Sequence, residues 1–338
     1  MGTASAYRLV RGAKAPRKMP MADNNKNNVE YVAGIAAKVM EAMAHAIKGK
    51  DDVIKSVLIA FLSEGHVLLE DVPGVGKTKL AQALARSIDT EFKRIQFTPD
   101  LLPNDITGIN MYNEATRDFS FLKGPVFANV VLADEINRGT PRVQSSLLEC
   151  MSEAIVTVDG KPYQLQRPFF VIATQNPADF HGTYPLPEAQ LDRFAMRLTM
   201  GFPDEKTEMA ILASNISSAP IDDIKPVAES NDMLECQRIV RQVHVSEAVQ
   251  QYISTLMRET RNHPALAYGC STRAAIAIMH AAQALAAIES RDFVVPRDVK
   301  ELVPCMLPHR IPLKLQARTE WTSTSQVIAS ILDKIPIE

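Results

Sequence analysis

A chain of 338 residues with 46% apolar and 22% charged residues is long enough for two domains with their own cores and falls among globular proteins. Lys and Arg number 37 against 39 Asp and Glu, a formal charge of −2, so no overall basic excess advertises nucleic acid. No apolar run approaches the roughly 20 residues of a membrane span and the amino terminus lacks an apolar signal core, which makes the cytoplasm the expected compartment. Cys150, Cys236, Cys270 and Cys305 are scattered and form no CxxC, against a zinc knuckle or a disulfide framework.

Residues 1–28 carry Arg8, Arg11, Lys14, Arg17 and Lys18 ahead of an Asn-rich stretch; low hydrophobicity with local charge predicts a disordered tail, with Met21 as an alternative start. Apolar residues at three- and four-residue spacing predict a helix over 29–47, ending near Gly49, and a second over 52–62. His66-Val67-Leu68-Leu69-Glu70 reads as a buried parallel strand. It runs through Asp71-Val72-Pro73-Gly74-Val75-Gly76-Lys77-Thr78-Lys79 into a helix whose Leu80, Ala83, Leu84 and Ile88 fall at helical spacing. A second strand is predicted over 92–97. Pro99, Pro103, Gly108, Gly124 and Pro125 leave room only for short elements over 98–127, and 110–122 reads as a hairpin that interrupts a helix.

Next comes a buried strand over 129–134 that closes on Asp134 and Glu135, then a helix over 141–153 with Val143, Leu147, Leu148 and Met151 as its apolar stripe. Strand alternation around Asp159-Gly160 predicts a second hairpin over 155–165. A fourth strand, 169–176, ends at Asn176-Pro177, and a fifth runs near 196–200. Beyond Pro203 the pattern is helical without clear strands, with helices near 205–215, 246–260, 271–289 and 296–306 and Ser271 as an N-cap. The expected units are therefore a tail (1–28), an α/β domain (29–203) and a helical domain (204–338).

Strand, loop, helix is the context that a phosphate-binding loop needs. Glycines let backbone N–H groups curl round phosphate oxygens, the new helix points its positive end at them, Lys77 can reach the β/γ-phosphates and the Thr78 hydroxyl can ligate Mg²⁺. The strict pattern GxxxxGK[ST] asks for Gly where this chain has Asp71. Three apolar strands thus end in polar groups, at Asp71 to Thr78, at Asp134-Glu135 and at Gln175-Asn176, and in a parallel sheet these ends share the edge where such folds bind ligands. Phosphoryl transfer to water requires a cation, a phosphate cradle, a polarised water and positive charge on the transition state. In that chemistry Asp134 would hold Mg²⁺, Glu135 would orient and partly deprotonate the water, and Asn176 would contact the γ-phosphate or the water. Taken alone, Asn176 also fits a turn before proline, and Arg193 and Arg273 also fit exposed ion pairs.

Glu70-Asp71-Val72-Pro73-Gly74-Val75-Gly76-Lys77-Thr78, Ala133 to Arg138, Ala173-Thr174-Gln175-Asn176-Pro177, the run 182–194 and Ser271-Thr272-Arg273 occur in this order. On these segments the chain, from about 30 to 312, resembles the MoxR family of AAA+ ATPases. The resemblance implies an AAA+ P-loop core with a parallel five-stranded sheet, hairpin insertions and a C-terminal helical lid. It also implies that the family tolerates an acidic or small residue at position 71, that Lys77 and Thr78 are Walker A, Asp134 and Glu135 Walker B, and Asn176 sensor 1, with 71–79 and Arg273 as the nucleotide-binding residues. Arg193 would be the finger given to a neighbouring subunit and Arg273 sensor 2. Arg138 is left without a role.

The expected protein is a ring-forming, hexameric ATPase using ATP and Mg²⁺ to remodel or mature a protein partner. The resemblance suggests a von Willebrand factor A domain protein as that partner, and metal or cofactor insertion as one outcome. The alternatives are a nucleic-acid motor, which near-neutral charge disfavours, and a nucleotide-gated scaffold without turnover, which Glu135 and Arg193 disfavour.

Overall fold

The computed structural model describes residues 24–114, 117–176, 182–216 and 220–335. The chain starts with α1 (Asn24–Ala46) and α2 (Asp51–Leu62), then β1 (Val67–Glu70), α3 (Lys77–Ser87) and β2 (Phe92–Gln96). A short helix α4 (Pro103–Thr107) leads into the hairpin β3 (Gly108–Asn113) and β4 (Asp118–Lys123). β5 (Val130–Asp134) and α5 (Pro141–Glu153) precede a second hairpin, β6 (Ile155–Val158) and β7 (Lys161–Gln164), followed by β8 (Phe170–Gln175). After α6 (Glu188–Leu191) and β9 (Met196–Leu198) the remaining long elements are helices. They are α7 (Glu205–Ser214), α8 (Ser230–Val240), α9 (Glu247–Asn262), α10 (Thr272–Ile288), α11 (Pro296–Met306) and α12 (Thr324–Lys334).

The main sheet is parallel, five-stranded and ordered β2-β5-β8-β1-β9. β1, β5 and β8 lie inside it with helices on both faces, which is why their sequences are unbroken apolar runs rather than alternating ones. β2 is an edge strand and is correspondingly polar: Ile95 is buried while Lys93, Arg94 and Gln96 are exposed. Both predicted hairpins are present, each as a separate two-stranded sheet.

The amino-terminal helix starts at Asn24, inside the stretch assigned to the tail. Its stripe of Val29, Val32, Ala36, Val39 and Met43 is buried, and a helix nucleated by that packing extends backwards at little cost. Residues 1–23 lie outside the described residues. α8 and α12 were not anticipated. Their buried stripes are short, Met233, Cys236, Ile239 and Val240 in one and Val327, Ile328, Ile331 and Leu332 in the other, and polar neighbours dilute them in sequence.

The secondary structure changes character near residue 203, yet the apolar interior does not stop there. One cluster joins α1, α2 and a face of the sheet to the helical segment, taking in Val39, Leu58, Phe61 and Leu84 together with Met233, Ile239, Ala281 and Leu285. Gln237 adds a polar tie, its Nε2 donating to the Phe61 carbonyl over 2.8 Å. The other face of the sheet packs on α5 and the two hairpins through Phe97, Phe127, Val131, Leu147 and Phe194. α7 stands apart from both clusters, with no buried residue along its length.

Candidate functional site

The carboxyl ends of β1, β5 and β8 lie side by side, because β8 pairs with both neighbours in parallel register. This brings three of the predicted segments together: 71–78, Asp134-Glu135 and Asn176.

Between β1 and α3 the chain turns through Gly74 and Gly76 with φ of +88° and +99°, conformations that a side chain would strain. A Cβ on Gly74 would meet nothing within 4 Å, so the loop bounds open space at the start of α3. The first N–H groups of a helix have no partner within it, which leaves those at the start of α3 able to receive an anion held by the loop. Val72 and Pro73 contribute differently from the expectation. The Val72 N–H is already given to Asp71 Oδ1 over 2.9 Å and Pro73 has none, so these two shape the loop instead of donating. Lys77 Nζ donates to the Asp71 carbonyl at 2.7 Å. Burial pulls the Lys77 ammonium below its ordinary range, while Asp71, Asp134 and Glu135 pull it upward; an added phosphate would favour the charged form further. Lys79, in the first turn of α3, reaches Asn215 Oδ1 at 3.5 Å.

Asp134 ends β5 almost fully buried. Its Oδ1 accepts from the Thr174 hydroxyl at 2.6 Å and its Oδ2 from Arg94, whose Nη2 is 2.5 Å away. The Thr174 hydroxyl in turn accepts the Glu135 N–H at 2.9 Å, so one buried threonine orients both carboxylate residues. Glu135 has φ +56°, a left-handed conformation that costs a non-glycine residue on the order of 1 kcal/mol. Its Oε2 accepts from Gln96 Nε2 at 2.8 Å and lies 3.2 Å from Arg138 Nε. Arg94, Gln96 and Thr174 were not singled out from the sequence. On an exposed edge strand and inside a β-run they read as ordinary polar and β-forming residues. Arg138, without a role in the sequence, is a partner of Glu135.

Asn176 follows β8 in a buried position. Pro177, the next residue of its motif, lies outside the described residues.

The two arginines are not gathered at the phosphate loop of their own chain. Arg193 donates to the Leu148 carbonyl at 2.7 Å and to the Ser152 hydroxyl, both in the second half of α5. Arg273, expected among the nucleotide-binding residues, has its ion-pair contact 3.9 Å away at Asp192, and its side chain is 60% exposed. Asp192 also accepts from Arg310 at 2.9 Å and from the Ser271 hydroxyl. Arg273 is thus held next to Arg193 ahead of β9, where the Ala195 N–H donates to the His66 carbonyl before β1, whereas Lys77 follows the carboxyl end of β1. The physical reason is the docking of the helical segment: buried Arg310, in the turn after α11, donates to Asp192 and to the Phe194 carbonyl at 2.8 Å, while the Ser271 hydroxyl ties the start of α10 to the same Asp192.

Among the described residues no group of three or more His, Cys, Asp or Glu side chains could hold a metal ion. A cation at this edge would rely on Thr78, on Asp134 and on oxygens of a bound phosphate. That arrangement suits Mg²⁺, which takes one or two carboxylates plus substrate phosphates. Among the described residues no helix is long and apolar enough to cross a membrane.

Comparison with known proteins agrees with this geometry. Residues 66–196 match the ATPase family associated with various cellular activities (AAA), and residues 258–331 match the AAA lid domain. The chain is 47% identical to the uncharacterized protein YeaC of Bacillus subtilis, over 90% of this chain and 96% of that one. It is 39% identical to Chaperone MoxR1 of Mycobacterium tuberculosis, over 90% of this chain and 84% of that protein. A crystal structure of a candidate ATPase from Cytophaga hutchinsonii superposes with a TM-score of 0.86 at 40% identity, covering 93% of this chain and 98% of that one.

Proposed function

The chain belongs to the MoxR family of AAA+ ATPases, and from that premise we propose that it hydrolyses ATP in a ring of identical subunits and uses the cycle to remodel a protein partner. One observation carries the reading. Lys77, Asp134 and Glu135 lie at or follow the carboxyl ends of the strands, while Arg193 is bonded to α5 and Arg273 to Asp192 ahead of β9, so a site holding all five needs two copies of the chain. A head-to-tail contact of this kind closes into a ring, for which six subunits is the expected number.

In this reading the turn through Gly74 and Gly76 and the start of α3 receive the phosphates, and Lys77 leaves the Asp71 carbonyl to meet them. Thr78 and Asp134 would hold Mg²⁺, which supplies charge neutralisation on the phosphate oxygens. Arg94 has to yield Asp134 Oδ2 for that to happen. Glu135 orients the attacking water and takes its proton as the water oxygen bonds to the γ-phosphorus and the bond to the β–γ bridging oxygen breaks, releasing ADP, and Asn176 fixes water or phosphate from the neighbouring strand. Arg193 of the next subunit places positive charge on the developing transition state, with Arg273 beside it. Hydrolysis that rises with protein concentration and vanishes in Lys77→Ala tests the assembly; a rate per subunit independent of concentration sinks it.

Thr174→Val keeps the shape of the side chain and removes the hydroxyl that holds Asp134 Oδ1 and the Glu135 N–H. Turnover should fall about tenfold or more. Stability should drop by roughly 1–3 kcal/mol, the cost of one buried polar group left unpaired. Thr174→Ser should restore most of both. Single-turnover hydrolysis and thermal melting check this, and a Val variant with parental kinetics would remove Thr174 from the positioning role.

Remodelling requires a grip. The two hairpins form one surface unit: Phe121 stacks on Tyr163 with ring centroids 4.2 Å apart, and Asn110 Nδ2 donates to Asp159 Oδ2 at 2.6 Å. Ile109, Met111 and Leu122 are exposed on one face of the β3-β4 ribbon and Tyr112 and Phe119 on the other, apolar surface of a kind that suits a protein partner. A von Willebrand factor A domain protein is the partner we favour, with maturation of a complex or metal or cofactor insertion as the outcome. Deleting residues 158–164 would remove buried Val158 along with the turn, so Tyr163→Ala is the cleaner test. It should abolish the change in ATPase rate on partner addition while basal hydrolysis survives. A partner that changes neither rate nor affinity across ATP, ADP and empty states removes the remodelling role. No observation on the described residues favours a nucleic-acid motor or a non-hydrolysing scaffold over this reading.

A further inference from the structure

Asp71 stands where the phosphate-loop pattern asks for glycine, and the residue is 6% exposed. One oxygen, Oδ1, accepts the Val72 N–H. The other, Oδ2, accepts two backbone N–H groups from a segment far along the chain: Met200 at 2.7 Å and Gly201 at 2.6 Å. That segment is the passage from β9 into the helical region. The parallel pairing of β1 with β9 ends at Leu69 and Leu198, and past it the Asp71 carboxylate takes over the task of the ladder. On the opposite side the Asp71 N–H donates to the Gln175 carbonyl at 3.2 Å, which extends the pairing of β1 with β8. Residue 71 is therefore fixed across three strand ends.

The passage has the marks of a hinge. Gly201 has φ +63°, a value that suits glycine. The Phe202 carbonyl is held by Lys50 Nζ at 3.1 Å, and Asp204 caps α7 by accepting the Thr207 N–H at 2.7 Å. It also lies over the loop, since the Met200 methyl is 3.8 Å from where a Cβ on Gly76 would stand. The Asp71 carbonyl, meanwhile, accepts Lys77 Nζ. One residue thus joins the lysine read as the phosphate's partner to the hinge of the helical region.

We infer that Asp71 is a positioning residue that couples nucleotide at the phosphate loop to the setting of the helical region through Met200 and Gly201. The inference rests on the reading of 71–78 as a phosphate cradle. Nucleotide draws Lys77 away from the Asp71 carbonyl, the peptide of residue 71 resettles, and the carboxylate carries that displacement to the hinge. A ligand moves a conformational equilibrium only by its differential affinity for the two settings, and this linkage is how the cradle would sense them. Glycine at 71 would leave the cradle glycines, Lys77 and Thr78 in place and cut the link.

The test uses the full chain carrying Glu135→Gln, so that added ATP persists, with and without Asp71→Gly. Amide hydrogen exchange across 198–214 is followed with no nucleotide, ADP and ATP, and nucleotide affinity is measured alongside. Without Asp71→Gly, the Met200 and Gly201 amides should be protected and exchange over 198–214 should change on ATP binding. With it, affinity should stay within about threefold while the ATP-dependent change disappears; in the chain that keeps Glu135, kcat should fall about tenfold with KM little moved. If Asp71→Gly does not melt cooperatively, Asp71→Ala is read instead: it removes both carboxylate oxygens without the added backbone freedom of glycine, and the ATP-dependent change should again disappear. A change that persists in the variant overturns the inference. Loss of ATP binding in the variant overturns it too, by making Asp71 a binding residue. Failure of the unsubstituted chain to bind ATP at all would instead strike the phosphate-loop reading.

Discussion

Glu135→Gln should bind ATP about as tightly as the parent and hydrolyse it roughly 10²- to 10⁴-fold more slowly, the range that loss of a positioned general base produces. The amide keeps the size of the carboxylate and can still accept from Gln96, which now bonds Oε2 at 2.8 Å, so the left-handed backbone at this position should survive the change. What it cannot do is take a proton from water. Nucleotide affinity depends on other groups, chiefly Lys77, whose replacement by Ala should remove binding itself. Equilibrium binding and single-turnover hydrolysis, measured separately, distinguish the two. Near-parental turnover by Glu135→Gln at saturating ATP would show that Glu135 is not the base, and its strained conformation would then need another explanation.

The sheet was legible because its inner strands are buried on both faces and so announce themselves as unbroken apolar runs closed by polar residues. That pattern is local. The same holds for the two hairpins and for α5, whose bounds follow from Pro141 and a clear stripe. What the sequence could not carry is anything that depends on which distant segments meet. Asp71 looked like a tolerated departure from a motif; its partners, Met200 and Gly201, lie well over a hundred residues away and are reached through backbone N–H groups that every residue but proline offers. Thr174 looked like a strand former, and only the adjacency of β5 and β8 turns its hydroxyl into the link between Asp134 and Glu135. Arg273 belongs to a motif that points to nucleotide, but that within its own chain it stands beside Asp192 follows only from the docking of the helical region. A side chain's chemistry is written in the sequence, but its target is a property of the tertiary packing.

Arg193→Ala should leave subunits that bind nucleotide yet turn it over about 10³-fold or more slowly, since an arginine supplied across an interface contributes on that scale. Inactivity alone would not locate the residue. Arg193 also donates to the Leu148 carbonyl and the Ser152 hydroxyl, and its removal could disturb the second half of α5 within its own subunit. Mixing separates the two causes. A Lys77→Ala subunit keeps Arg193 but cannot hold ATP, and an Arg193→Ala subunit holds ATP but offers no arginine. Each is inactive alone, yet wherever the second receives the first as its neighbour an intact site is rebuilt, at about one interface in four for random mixing in a head-to-tail ring. Activity should therefore return in the mixture and pass through a maximum near equal proportions. An arginine acting within its own chain gives no such recovery, because neither subunit then carries both groups. No return of activity on mixing, with co-assembly verified by mass, would place Arg193 outside the shared site and leave the α5 contact as its role.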